Sequence, residues 1–519
     1  LSNMIIKLKK GEVVFRNPEL LAVDTKMVNL DRVLTNLFMQ IYSVGAPVSL
    51  AVKTEHKIES LINYVNNLED KGLVHGAKAN QDAVEDWLRS NLLELVNRGN
   101  VVKEKVSSLK PMHLMSFRVQ NRKYCRDYNT ADQLYMMLKA NPGVLGELKE
   151  YLRKGWDLST NSMIGSEELD VDTTGILYLT KELKDKKGLN TDTKDAKPFL
   201  EKQTELFNDD IRRLLEYKDK LPRTVFIDYL KILCGFHLAL YTMKLVYLLP
   251  KMVDAGSKDV VDDWSLVVDM TDNLDSKVAP YACQDAEHIA NLYRSYVRST
   301  FVINLCQNRL KASGANASVE NALAYAKNEL KKDDSYYEFA LQTVRNGLED
   351  DDARKEFDEI LQYFDRNDYF DKYVHLLEKS NLGTTQYKYL GQFLDAVTMK
   401  NTTSMLFADS RSKRHPRRGA MGSKLLETLV QILLLQKDEN GNYHTRSMSI
   451  DEITRLIRDR YGLIINGIAE PRFADADVMV HDAFKANTAA FKDKLRQIGF
   501  YTDLSDACIL QKIRPRYNI

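Results

Sequence analysis

The chain has 519 residues, 44% of them hydrophobic and 28% charged, which is enough for several domains with real cores. Its 11 prolines and 23 glycines exclude a largely disordered or collagenous chain, and a formal net charge of +1 excludes a polycation. The charge is lopsided: Arg411–Ile519 holds 19 basic against 13 acidic residues, while residues 1–410 hold 55 against 60, the asymmetry a localised polyanion-binding end produces.

The five cysteines, Cys125, Cys234, Cys283, Cys306 and Cys508, form no C-x-x-C pair and are odd in number. They read as buried, reduced thiols rather than a disulfide framework or zinc site. No secretory signal pattern opens the sequence. The most membrane-like stretch, Val225–Pro250, contains Asp228, Lys231, His237 and Lys244, so a buried bundle helix is expected rather than a membrane span. A cytoplasmic protein without a membrane partner is the expectation.

In chain order, Met4–Leu8 and Glu12–Phe15 are short extended candidates. Leu30–Tyr42, Glu55–Asp70 and Gln81–Asn97 follow as helices, the first with Leu30, Val33, Leu34, Leu37, Phe38 and Ile41 on one face. Val101–Arg126 then carries Lys103, Lys105, Lys110, Arg118, Arg122, Lys123 and Arg126 against one acid, Glu104, with His113, Phe117 and Tyr124 interleaved. Local alternation around Met112–Val119 suggests strand character. Three helices and a basic hairpin make an N-terminal winged-helix-like domain with a second DNA contact one reading, and a solvated basic hairpin the plainer one.

Residues 130–154 are expected to be helical, and the pattern loosens through Asp157–Thr174. Lys181–Lys197 is the best linker candidate. Pro198–Lys251 reads as two helices divided at Leu221-Pro222. Ser265–Val268 could supply one strand of a small sheet. Helices resume at Asp285–Lys311, Val319–Lys331, Tyr336–Asn346, Ala353–Phe364, Tyr369–Lys379 and Thr385–Met399, with no fixed-period repeat. The expected domains are 1–128, 129–197, 198–409 and 410–519.

The last of these carries the strongest signal. Arg411, Lys413, Arg414, Arg417 and Arg418 fall within eight residues around His415-Pro416, followed by Gly419 and Gly422. Proline and glycine disfavour helix, which predicts an extended arm whose cations neutralise phosphates. A solvated linker is the alternative. Ser423–Gln436 is a first helix, Asp438–Asn442 a turn and Tyr443–Thr445 a short strand. Ser449-Ile450-Asp451-Glu452 is a capping box that starts a second helix ending at Tyr461-Gly462. An insertion, Leu463–Ala486, is broken at Pro471. A third helix from a cap at Asn487 to Ile498 would turn Phe491, Leu495 and Ile498 inward and leave Thr488, Lys492, Lys494 and Arg496 outward, with Lys485 upstream. Phe500-Tyr501 and Ile509–Ile513 would form a wing with Lys512, Arg514 and Arg516 at its far end.

This order of elements resembles winged-helix DNA-binding domains. The resemblance implies a third helix in the major groove and a wing on phosphates. It covers about 100 residues and departs from the family in the insertion and in Asp503 and Asp506 of the wing. The run Leu495-Arg-Gln-Ile-Gly-Phe followed by Leu504-Ser-Asp-Ala507 resembles wing ends of accessory proteins in prokaryotic anti-phage defence systems.

No P-loop, G-x-S-x-G, H-E-x-x-H or Rossmann pattern occurs. His237 on an apolar helix reads as structural. Asp269, Asp272, Asp275 and Lys277 invite a cryptic metal-dependent nuclease reading. Asp365, Asp368 and Asp371 read as a solvated face. The sequence therefore predicts a mainly α, multi-domain protein with small β-hairpins and a C-terminal winged helix. Its expected role is a non-catalytic duplex-DNA-binding subunit without cofactor or metal, whose helical middle binds protein partners or a second copy. A protein-binding scaffold and a nuclease are the alternatives.

Overall fold

The computed structural model describes residues 14–46, 48–50, 57–100, 102–181, 183, 185–187, 197–271, 273, 275–328, 335–348, 351–362, 368–399, 401–408, 416–501 and 512–519. Among them are seventeen α-helices and only short, two-stranded β pairings, so the protein is mainly α. The strand expected at Met4–Leu8, the Arg411–Arg414 cations and the tip of the terminal wing lie outside the described residues.

The centre is the helix Arg223–Ala255. From Phe226 to Met252 it is apolar nearly all round, and such a helix must be buried on every side. The helices Leu30–Ser43, Glu201–Glu216, Ala279–Ala312, Asn381–Thr398 and Ser423–Leu433 pack around it. The most apolar window of this helix is 89% buried within the protein, as expected of a bundle helix. Pro222 stands at its N-cap, just outside the first-turn position expected. Gly256, at φ 69°, closes it in the left-handed conformation.

One apolar cluster runs from Leu20 to Ile513, so both ends of the chain share a core. A second, smaller core holds Leu61, Val65, Leu88, Leu92, Leu95, Val106, Leu109 and Ile176. The expected helix Gln81–Asn97 differs here. It is α-helical only to Trp87, makes a π turn over Leu88–Leu92, and becomes the strand Leu93–Val96. That strand pairs antiparallel with Lys105–Leu109. Residues Leu114–Arg118, expected as strand, form a 3-10 turn, because His113 Nδ1 accepts from the Met115 amide at 3.1 Å and caps it. A helix at Val171–Thr180, whose Asp172, Thr173, Thr174 and Gly175 precede the apolar residues and leave no clear helical period, went unexpected.

The single strand expected near Ser265–Val268 is present as Leu266–Val267 and pairs in parallel with Leu463–Ile464 of the terminal region. On its other side, the Asp269 amide donates to Gly419 O at 2.9 Å. Gly419 lies so close to this strand that a Cβ would sit 2.3 Å from Val267 O, which only glycine permits.

Candidate nucleic-acid interface

The terminal module begins with Ser423–Leu433, whose Leu425, Leu426, Leu429, Ile432 and Leu433 are all buried. Gly422, rather than Ser423, is its N-cap. Leu435–Lys437 and Tyr443–Thr445 then form a hairpin. Asp438 closes its turn by accepting from the Asn440 and Asn442 amides at 2.9 and 2.8 Å. The predicted capping box is present: Ser449 Oγ accepts from the Glu452 amide, Glu452 returns to the Ser449 amide, and the helix runs Ile450–Tyr461. Gly462 ends it at φ 74°.

The next helix differs from expectation. It starts at Val478, capped by Asp477, and runs to Gln497, so the predicted cap Asn487 lies in mid-helix. Asn487 is fully buried. Its Nδ2 donates to Val268 O and Ile465 O at 2.9 and 2.8 Å, and its Oδ1 accepts from the Met270 amide at 2.8 Å. One side chain thus serves three backbone groups of the small parallel sheet that would otherwise be buried unpaired. After the helix, the Arg514 amide donates to Phe500 O at 2.9 Å, and Ile513 bridges Met448 antiparallel. The segment before the second helix, Phe500 and the segment Ile513–Arg514 are therefore neighbours.

On this frame Lys485, Lys492 and Arg496 are spaced by seven and four residues, which places them on one stripe of the long helix. Lys485 and Arg496 are exposed and Lys492 half-buried. Lys492 and Arg496 both stand over the buried Tyr501 ring, at 5.0 and 5.8 Å, and Arg496 also pairs with Asp493 at 2.6 Å. Lys512 and Arg514 are exposed on either side of the buried Ile513. Thr488 is half-buried, and its hydroxyl donates to Phe484 O.

Four expected contacts are tied elsewhere. Lys494 is only 7% exposed and donates from Nζ to Met421 O at 3.2 Å, because its turn of the helix faces the core. Arg418 is 4% exposed, and its Nε meets Asp269 Oδ2 at 3.1 Å. Arg417 is ion-paired to Asp395 and lies over the Phe407 ring. Arg516 bridges to Glu427 at 2.6 Å and covers Phe500. Arg417 and Arg418 thus tie the segment before the module to Asp395 and Asp269, while Lys494 and Arg516 pack within the terminal region.

At the N-terminal end, Lys103, Arg122, Lys123 and Arg126 are exposed and Lys105 is half-buried. Lys110 donates to Ser90 O. Arg118 is buried: it stacks on Trp156 at 4.6 Å and donates to Asn161 Oδ1 and Thr180 O. It therefore belongs to the core and not to a surface.

The carboxylates considered for metal chemistry are also committed. Asp269 is fully buried, pairs with Arg418, and accepts from the Thr271 amide and hydroxyl at 2.8 and 2.7 Å. Asp371 pairs with Arg298 at 3.1 Å, while Asp368 caps its own helix. Asp272 and Asp365 lie outside the described residues. Among the described residues, no group of three or more His, Cys, Asp or Glu side chains is arranged to hold a metal ion.

His237 enters a network that sequence reading missed. Its Nε2 meets Asp210 Oδ2 at 2.9 Å and its Nδ1 meets Gln203 Nε2 at 3.1 Å. Asp210 also accepts from Tyr461 Oη at 2.8 Å and Arg460 Nη2 at 2.5 Å. Burial pushes the Asp210 carboxyl up, but His237, Arg460 and Tyr461 outweigh it and hold it below the ordinary range. This buried cluster fastens the second helix of the terminal module to the central bundle.

No curated protein and no solved structure matches the chain. A family model, described as methylation-associated defense system protein MAD7, matches residues 10–517, nearly the whole length. The chain with its helical body, shared core and terminal module thus belongs to the MAD7 family of methylation-associated defense system proteins.

Proposed function

We propose that this member of a defence system is a non-catalytic, cytoplasmic subunit that engages duplex DNA through its C-terminal module. We read that module as a winged helix, with Val478–Gln497 as the helix that meets the groove. The observation that carries the reading is the Lys485, Lys492 and Arg496 stripe, with Lys512 and Arg514 exposed on the segment that returns to Phe500 just after this helix. Point charges on a helix and an adjoining hairpin suit phosphates on either side of a groove. The defence-system family supports a nucleic-acid role, with the chemistry supplied by another component bound to the helical middle.

A gel-shift of the full chain across a salt series tests it. Duplex binding should fall steeply with salt, as expected when bound cations displace counterions. Charge reversal at Lys485, Lys492 and Arg514 should weaken it at least tenfold at low salt, about 1.4 kcal/mol. Unchanged binding in a variant that folds normally rejects the surface. A second reading, recognition of a protein partner, draws on Val478 and Met479, each 76% exposed at the front of the same helix. It predicts no duplex shift and a stable co-purifying subunit.

A further inference from the structure

The hairpin of the second core carries a third segment. Ser108 bridges Gln120 antiparallel, the Leu109 amide donates to Val119 O at 3.0 Å, and the Asn121 amide donates to Ser107 O at 2.7 Å. That pairing ends at Asn121, beside Ser107 and two residues from the start of the strand Lys105–Leu109. There the chain turns: the Tyr124 and Cys125 amides both donate to Asn121 O, at 2.9 and 2.7 Å. Asn121 lines the same cleft as Gly99, Asn100 and Glu104, so the turn that begins there lies near the loop of the hairpin.

This region is cationic. Arg98 and Lys103 on the hairpin loop and Lys123 on the turn are exposed, as is Arg126 just after the turn, and Val102 on the loop is 81% exposed. The local acids are engaged. Glu104 accepts from Arg89 Nη2 at 2.5 Å and from the Gly99 amide at 2.7 Å, and Asp127 accepts from the Ala131 amide at 2.9 Å. The neighbouring helix Gln81–Trp87 has the opposite character, with Asp82 and Asp86 exposed. The cleft between hairpin and helices, about 450 Å³, is balanced by Glu59, Glu85 and Glu104 against Lys57, Arg89 and Lys105. Neither the helix nor the cleft suits a polyanion; the hairpin tip does.

We propose that this tip and the adjoining 121–126 turn form a second site for the phosphate backbone of duplex DNA, docked hairpin-first with the acidic helix held away. The site goes beyond the C-terminal reading and does not require it. Arg98, which lies outside the basic stretch Val101–Arg126 read from the sequence, enters it, and buried Arg118 leaves it.

The test uses the full chain and a fluorescein-labelled duplex, with anisotropy followed across a salt series. An N-terminal variant carries Arg98→Glu, Lys103→Glu, Lys123→Glu and Arg126→Glu. A C-terminal variant carries Lys485→Glu, Lys492→Glu and Arg514→Glu. The N-terminal variant should weaken binding about tenfold or more at low salt and reduce the slope of log K against log salt by about three. The C-terminal variant should keep a salt-dependent remainder, and combining the two should remove it. A matching Gln series, with thermal melts, decides the matter if the Glu variant fails to fold. Unchanged affinity and slope in the N-terminal variants, the result for an acidic protein partner instead, overturns the second site. So does a C-terminal variant that alone removes all binding, which leaves the first reading standing. Conversely, an unaffected C-terminal variant beside a weakened N-terminal one rejects the first reading and keeps the second.

Discussion

Replacing Asp269 by alanine takes the carboxylate away from Arg418 while the guanidinium stays in a site only 4% exposed. Attraction within a buried pair roughly offsets the cost of drying two charges, but one charge left alone bears that cost uncompensated, about 3–5 kcal/mol. The Thr271 amide and hydroxyl also lose their acceptor. Asp269→Ala should therefore destabilise the protein by about 3–5 kcal/mol. The double variant Asp269→Leu with Arg418→Met removes both charges and should recover most of the loss, because an apolar pair of similar volume is often neutral or better. Urea unfolding of the full chain, followed by fluorescence, measures this. Trp264, 4% exposed in the same segment, reports on the local structure. A loss below about 1 kcal/mol for the single variant, or a double variant as unstable as the sum of its parts, refutes the reasoning. A nuclease site would behave differently: Mg²⁺-dependent cleavage would vanish with stability intact.

Two further outcomes follow from other buried groups. Asn487→Leu strands Val268 O, Ile465 O and the Met270 amide, and should cost about 3 kcal/mol or more at about 1–3 kcal/mol per unpaired group. Hydrogen exchange at the Met270 amide should accelerate, and retained protection would refute the clamp. His113 is held neutral, its pKa pushed down to about 3 by burial and then by the Arg223 guanidinium. The unfolded chain takes up this proton near its ordinary pKa, about 6.5, while the folded chain resists until about 3. His113 thus contributes stability above about 6.5 that is lost as pH falls toward 3, at up to about 1.4 kcal/mol per pH unit. Asp127, raised to about 6 by burial, acts in the opposite sense, so the comparison is with His113→Asn. A parent and variant with parallel pH profiles would refute the assignment.

Local signals were legible because they depend on neighbours in the chain. The leucine spacing of Ser423–Leu433, the Ser449 and Glu452 box, the Asp438–Asn442 turn and the glycine stop at 462 each need only a few adjacent residues. The long apolar run of Val225–Pro250, interrupted by Asp228, Lys231, His237 and Lys244, likewise marked the central helix and its burial. The sequence by itself thus determined a helical protein with a capped, hairpin-bearing terminal module and a surplus of cations at that end.

Only the tertiary structure decided which cations face solvent. Arg418 meets Asp269 across 149 positions, and Arg460 meets Asp210 across 250, distances over which no spacing pattern operates. Asn487 looked like a helix start because asparagine caps helices well, yet it serves a sheet whose strands come from two distant regions. Leu93–Val96 followed a helical pattern and became a strand once Lys105–Leu109 offered its backbone. The approach of the turn after Asn121 to the hairpin depends on the Ser108–Gln120 bridge, a pairing between two stretches rather than a pattern within one. Helix periodicity and caps are short-range properties of the chain, whereas burial of a charge and pairing of a strand depend on partners that only folding brings near.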